Sequence, residues 1–292
     1  MKSKVYFTKD ITKESVLKMY KVLNKDLKGN TAIKVHSGEA GNQNFIKPEM
    51  YKEIIDYLSA TIVECNTAYA GERDTTAKHQ KLMEKHGWNK YYKVDILDSE
   101  QPDLVLNIPN GKIINKNYVG KNIENYNSML VISHFKGHPM GGYGGALKQL
   151  SIGVASSKGK RYIHCTGKEN GTYEDMFKVD QIQFLEAMAD SAKSVVNYFQ
   201  GNIAYINIMC NMSVDCDCCA TAKEPCMKDI GILSSTDPVA LDQACIDLVY
   251  HSNDEGKTHL IERIESRHGI HTIEASADLN IGQREYELIN VN

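Results

Sequence analysis

SMLVISHFKGHPMGGYGGALKQLSIGVA, residues 128–155, shows the fold on a small scale. SMLVISHF (128–135) is an apolar run of strand length. A glycine-rich loop follows, and ALKQLSIGVA (146–155) reads as a helix with small residues. The same strand-then-helix step recurs on both sides. Toward the N-terminus stand KVYFT (4–8), TAIKVHS (31–37), TIVEC (61–65) and DLVLNI (103–108), all strand-like. Between them lie a helical stretch with Val16, Met19, Tyr20, Leu23 and Leu27 on one face, ended by Gly29, and a helix opened by Pro48 through Ile54, Ile55 and Leu58. A further helix over 74–86, with an N-cap at Asp74, stops at Gly87. Toward the C-terminus, residues 181–199 form the clearest amphipathic helix, and IAYINIM (203–209) is a buried-type strand. Asp237-Pro238 opens a helix to about Tyr250, residues 256–268 give one more, and ELINV (287–291) closes a sheet edge. This alternation predicts an α/β protein with a mostly parallel sheet and flanking helices. The polar stretch 156–180 reads as a long loop, where a division into two sub-domains would fall; otherwise 1–292 is one domain.

Composition narrows the function classes. The chain has 292 residues, 42% hydrophobic and 24% charged, with a net charge of −3. These values are globular and give no electrostatic reason to expect nucleic acid or an anionic membrane. No apolar run is long enough to span a bilayer, and the N-terminus MKSKVYFTKD has no secretory pattern, so a cytoplasmic protein with reduced thiols is expected. Against that background there are eight cysteines, five of them between Cys210 and Cys226. Cys65 and Cys245 sit in apolar patterns and are expected to be packing residues.

Three segments carry chemistry. In CNMSVDCDCCATAKEPC (210–226), an extended chain puts Cys216 and Cys218 on one side, with Asp215, Asp217 and Cys219 on the other. Two thiolates make half of a soft-metal site, with the remaining ligands to come from Cys210, Cys226, His134, His138 or His164, the first choice being His134 and His138. Neither the ferredoxin spacing CxxCxxC nor a paired CxxC zinc pattern is present. In the 133–153 segment, Gly137 and Pro139 break any helix, so a zinc-protease reading of the two histidines fails. Gly141, Gly142, Gly144 and Gly145 then lead into a helix, an arrangement suited to binding an anion, with Lys148 on its first turn. In ECNTAYAGERDTTAKH (64–79), Asn66, Thr67, Tyr69 and Arg73 are candidate substrate contacts, Arg73 as a bidentate anion binder. Lys148 and His164 are candidate catalytic residues. SKGKR (157–161) reads as solvated surface that also lies where it could help hold an anion.

These motifs together resemble a family of uncharacterised Fe-S centre proteins, a domain of unknown function. The resemblance rests on HFKGHPMGGYGGALKQLSIGVASSKGKRYIH, on Asn66-Thr67-x-Tyr69 with Arg73, on Cys216-Asp217-Cys218, and on the block from Asp229 to Asp242. It runs from about residue 30 to 280. Many members of that family insert a ferredoxin-like cysteine segment after the histidine matching His164; here CTGKENGTYEDMFKVD stands there, with Cys165 alone. The resemblance therefore implies a core Cys/His site independent of the ferredoxin unit. Three functions fit. The first is metal-assisted or redox chemistry on a small anionic substrate, with zinc or an iron–sulfur cluster as cofactor. The second is a cluster-binding or scaffold module working with a separate ferredoxin, and the third is a metal-free thiol enzyme.

Overall fold

The strands at 128–134 and 203–209 are buried at every position. Helices cover both faces of such strands, which is why neither shows polar alternation. The computed structural model describes residues 2–291. The chain runs β1 (Ser3–Thr8), α1 (Lys13–Lys21), β2 (Thr31–Lys34), α2 (Lys52–Leu58), β3 (Thr61–Glu64), α3 (Thr76–Lys85), α4 (Trp88–Tyr91) and β4 (Val94–Ile96). It continues through β5 (Leu104–Asn107), β6 (Lys116–Val119), β7 (Ser128–His134), β8 (Lys136–His138), β9 (Gly142–Gly144), α5 (Ala146–Lys148) and α6 (Ser157–His164). The rest holds α7 (Gln181–Phe199), β10 (Ile203–Met209), β11 (Gly231–Ser235), α8 (Pro238–Tyr250), α9 (Lys257–Ser266), α10 (Ile270–Asp278) and β12 (Tyr286–Asn290).

Eight strands form one sheet in the order β12-β1-β11-β10-β7-β2-β3-β4. All neighbours are parallel except β11, which runs antiparallel to both β1 and β10. The expected α/β class with a mostly parallel sheet is therefore what forms. Alternate side chains feed two cores. Met129 and Val131 of β7 join a cluster with α7 and α8, while Leu130 and Ile132 join one with α1 and α2. From β2 the chain moves outward through β3 to β4, then returns to the far side of β2 with β7 and β10. A crevice opens at the carboxyl ends of β2 and β7, the usual ligand position in such sheets.

Several elements differ from the sequence expectation. DLVLNI supplies β5, but β5 pairs only with β6 in a separate hairpin. The start of the 156–180 stretch is helical: Ser156 caps α6, and Gly159 packs where a Cβ would lie 2.0 Å from the Tyr118 carbonyl oxygen. Thr75, not Asp74, caps α3. The strand β11 is hidden by its serines, whose hydroxyls donate to Met19 O and Lys4 O. The helix expected at 146–155 begins as α5 and continues as a π-helical turn, Gln149–Gly153. Among the described residues, no helix is long and apolar enough to cross a membrane.

Asp237 locks the C-terminal part to the sheet. Its Oδ1 accepts from Val239 N and Ala240 N, capping α8, and its Oδ2 accepts from Ser3 Oγ at 2.7 Å. Asp237→Ala is expected to lower stability by about 1–2 kcal/mol, from cap loss alone. Urea unfolding with an unchanged m-value checks this.

Candidate functional site

The parallel strands deliver their ends to one edge. His36 follows β2, Cys65 to Thr67 follow β3, His134 ends β7 and Cys210 follows β10. The 216–218 segment is then drawn back over this edge by charge. The Asp217 carboxylate accepts from His134 Nδ1 at 2.9 Å and lies 3.0 Å from Lys136 Nζ, all buried. Those cations hold Asp217 well below the usual carboxylate range against the opposing effect of burial. His134 Nε2 donates to Cys210 O at 2.6 Å. Both ring nitrogens of His134, expected as a metal ligand, are thus hydrogen-bonded within the fold, and among the described residues it is not part of the group of side chains placed to hold a metal ion.

With Asp217 turned to His134, Cys216 and Cys218 face the other way. Their sulfurs and a ring nitrogen of His138 lie within 4.8 Å of one another, a group able to hold a metal ion. Cys216 is fully buried. The hydrogen bond from the Cys218 thiol holds its thiol well below the ordinary range, and Lys148 and Lys136 add to this while burial opposes it. Lys148 Nζ stands 3.7 Å from the Cys216 sulfur. Cys218 is correspondingly pushed well above the ordinary range. Of these sulfurs Cys216 is the more acidic, and the Cys218 thiol lowers its other neighbour, Cys219, as well.

Two histidines complete the surroundings of the Cys216 sulfur. His36 Nδ1 accepts from Gly38 N at 3.1 Å. His138 Nδ1 accepts from Gly141 N at 2.9 Å and Met140 N at 3.2 Å. An Nδ1 that accepts leaves the proton of a neutral ring on Nε2, and both rings hydrogen-bond to Cys216. Burial pushes His36 down to about 4 and lowers His138 as well, so both donate as neutral rings.

Beside the sulfurs lies a cavity of about 130 Å³. Of the expected site residues, Thr67, Tyr69, Arg73, His138, Lys148, His164 and Cys218 line it. His164 Nδ1 donates to Lys160 O at 2.7 Å, which leaves its Nε2 as an acceptor, and burial pushes the ring down to about 3. Arg73 does not wait for an external anion. Its Nε lies 3.1 Å from Glu39 Oε2, its Nη2 donates to Tyr69 OH at 2.9 Å, and Glu64 is 3.7 Å away. Asn66 is withdrawn from the cavity: its side chain bonds Thr76 Oγ1 and His79 Nδ1.

The glycine loop is also corrected. The amides of Ala146 and Leu147 donate to the buried Asp242 carboxylate at 2.8 and 3.0 Å. The anion at this helix start is internal. Gly145 is required because a Cβ would lie 2.6 Å from Asp242 Oδ1, and at Gly142, whose φ is +80°, a Cβ would lie 2.9 Å from Gly269 Cα. None of Gly141, Gly142, Gly144 and Gly145 lines the cavity. Sequence reading missed Lys34, His36 and Glu64. Lys34 and Glu64 form a buried pair at 2.7 Å across β2 and β3. The available signal was a lysine and a glutamate inside otherwise apolar strands.

The sequence profile of a domain of unknown function (DUF362) matches residues 31–247. No curated protein matches the chain. Among solved structures, the lactate racemase apoprotein from Thermoanaerobacterium thermosaccharolyticum is similar at 14% identity and TM-score 0.49, with 85% of this chain and 57% of that one covered. A protein from Thermotoga maritima is similar at 10% identity and TM-score 0.43, with 93% and 60% covered. The chain thus spans less than two thirds of either structure's length.

The acidity of Cys216 is directly measurable. Cys216 is an acid depressed on folding, so it stabilises the native state above the ordinary thiol pKa of about 8.5 and loses that contribution as pH falls through its native value. Metal-free protein at about pH 7 is expected to show thiolate ultraviolet absorbance. Cys216→Ser lowers it, and Cys65→Ser, whose thiol burial pushes up, leaves it unchanged.

Proposed function

The chain belongs to the DUF362 family, and from that premise we propose that it binds one soft metal ion between Cys216 and Cys218 and acts on a small organic anion in the adjoining cavity. The observation that carries this reading is geometric. The sulfurs of Cys216 and Cys218 and a ring nitrogen of His138 lie within 4.8 Å of one another, the spacing a soft cation would bridge. The donor set suits zinc or iron better than magnesium, and such an ion would supply a Lewis acid or a redox centre. Cys210, pushed up to about 12 by burial, and Cys226, whose Sγ donates to Met212 O, stay outside this group as thiols.

The chain's own residues have distinct tasks. Lys148 balances the charge of Cys216 and faces the cavity. His164 lines the same space as a neutral ring able to accept a hydrogen bond from a ligand. His36 and His138 donate to sulfur, and hydrogen bonds to a ligating thiolate tune its metal. Because two amides fix Nδ1 of His138 as an acceptor, this ring would have to give up its Nε2 proton to become a ligand.

A second reading has a specific observation in its favour. Donors surround Cys216 as they would a thiolate kept for its own reactivity, so a metal-free thiol enzyme is the competing function. Metal analysis of anaerobically purified protein separates the two. About one equivalent of zinc or iron is expected, lost at least tenfold in Cys216→Ser and Cys218→Ser and largely kept in His138→Gln. No bound metal, together with one fast-alkylating thiol, would establish the thiol enzyme instead.

A further inference from the structure

Lys160 is the unmatched cation of the cavity. Lys34 is paired with Glu64 at 2.7 Å, Arg73 with Glu39 at 3.1 Å, and Lys148 Nζ stands 3.7 Å from the Cys216 sulfur. Lys160 is 8% exposed and lines the same cavity. Its ammonium donates to Ala155 O at 2.6 Å, and no carboxylate forms an ion pair with it among the described residues. Burial lowers its pKa, opposed in part by Cys65 and Asp98. An ammonium taken out of water without a counter-ion is strongly disfavoured unless an anion joins it.

The opposite trait appears in the segment that follows α6. Tyr173 and Phe177 are 51% and 61% exposed, yet both line the cavity. Their rings meet edge to face at 5.2 Å. Buried Ile152 and Met176 continue this apolar surface inward. The segment keeps its shape through local bonds: Lys168 pairs with Asp175 at 2.8 Å, and Thr172 N donates to Asp175 at 2.9 Å. Two aromatic rings at a cavity wall, left wet on one side, are a surface that a flat apolar ligand would cover.

We propose that the cavity takes an aromatic monocarboxylate, its carboxylate on Lys160 and its ring against Ile152, Met176, Tyr173 and Phe177. A single ammonium suits a single negative charge, and the guanidinium that would favour a dianionic phosphate is already occupied by Glu39 and Tyr69. This rests on the reading of the cavity as the ligand site beside the thiol pair, and it narrows the ligand class.

Calorimetric titration of the full chain with phenylacetate, acetate, benzyl alcohol and phenyl phosphate tests it, with metal content measured on each sample. Phenylacetate is expected to bind at least about tenfold more tightly than the other three. Lys160→Met should remove that advantage while benzyl alcohol binds as in wild type. The paired change Tyr173→Ala with Phe177→Ala should bring phenylacetate down to the level of acetate. Lys160→Met should also melt at or above the wild-type temperature, because it removes an unpaired buried charge. Equal binding of phenylacetate and acetate, tighter binding of phenyl phosphate, no binding of any probe, or a lowered melting temperature in Lys160→Met would each overturn the inference. Protein without metal that still selects phenylacetate would support it while defeating the metal reading. Metal-loaded protein without the selectivity would do the reverse.

Discussion

The Asp217 carboxylate, 2.9 Å from His134 Nδ1 and 3.0 Å from Lys136 Nζ, joins two parts of the chain that are far apart in sequence. Its backbone takes part as well, since Asp217 O accepts from Glu39 N at 2.8 Å. One residue therefore fastens the cysteine loop to the end of β7 and to the loop after β2. A buried pair is weak evidence for net stability, because desolvation offsets most of the attraction. Removing one partner is another matter and costs about 3–5 kcal/mol, since a charge is left uncompensated. The clamp thus contributes more to where the sulfurs sit than to how stable the protein is.

From that clamp the charge pattern of the cavity follows. Lys34, Glu64, Arg73 and Glu39 form a buried network whose members are all paired. It brings two positive and two negative charges to the carboxyl ends of β2 and β3 and adds no net field. Two further lysines line the cavity. Lys148 lies against the Cys216 sulfur, and Lys160 has only a carbonyl. The cavity is therefore not simply basic.

The sheet was legible because strands buried on both faces are mostly apolar and lack polar alternation. SMLVISH and IAYINIM could be read without any knowledge of their neighbours. The even spacing of Cys216 and Cys218 around Asp217 was legible too, since side chains alternate in an extended segment. What could not be read was partner choice across long sequence distance. Arg73 looks free until Glu39 is beside it, and His134 looks like a ligand until Asp217 and Cys210 occupy both of its nitrogens. SKGKR reads as surface because four of its five residues are polar or charged, one being glycine. Only the packing of Gly159 against Tyr118 O shows that α6 turns Lys160 inward.

The glycine loop gives the strongest case of this limit. Glycines before a helix expose amides that favour an anion, and that physics holds here. The anion is Asp242, which also accepts from Asn207 Nδ2 at 2.7 Å and Tyr143 OH at 3.1 Å. Burial pushes this carboxyl up to about 6, while those donors favour its charged form. The helix start is saturated by the fold. A backbone site binds any oxyanion that fits between its amides. Under the proposed reading an external anion would instead meet a lone lysine beneath an apolar wall, and its binding would also depend on what the rest of the ligand is made of.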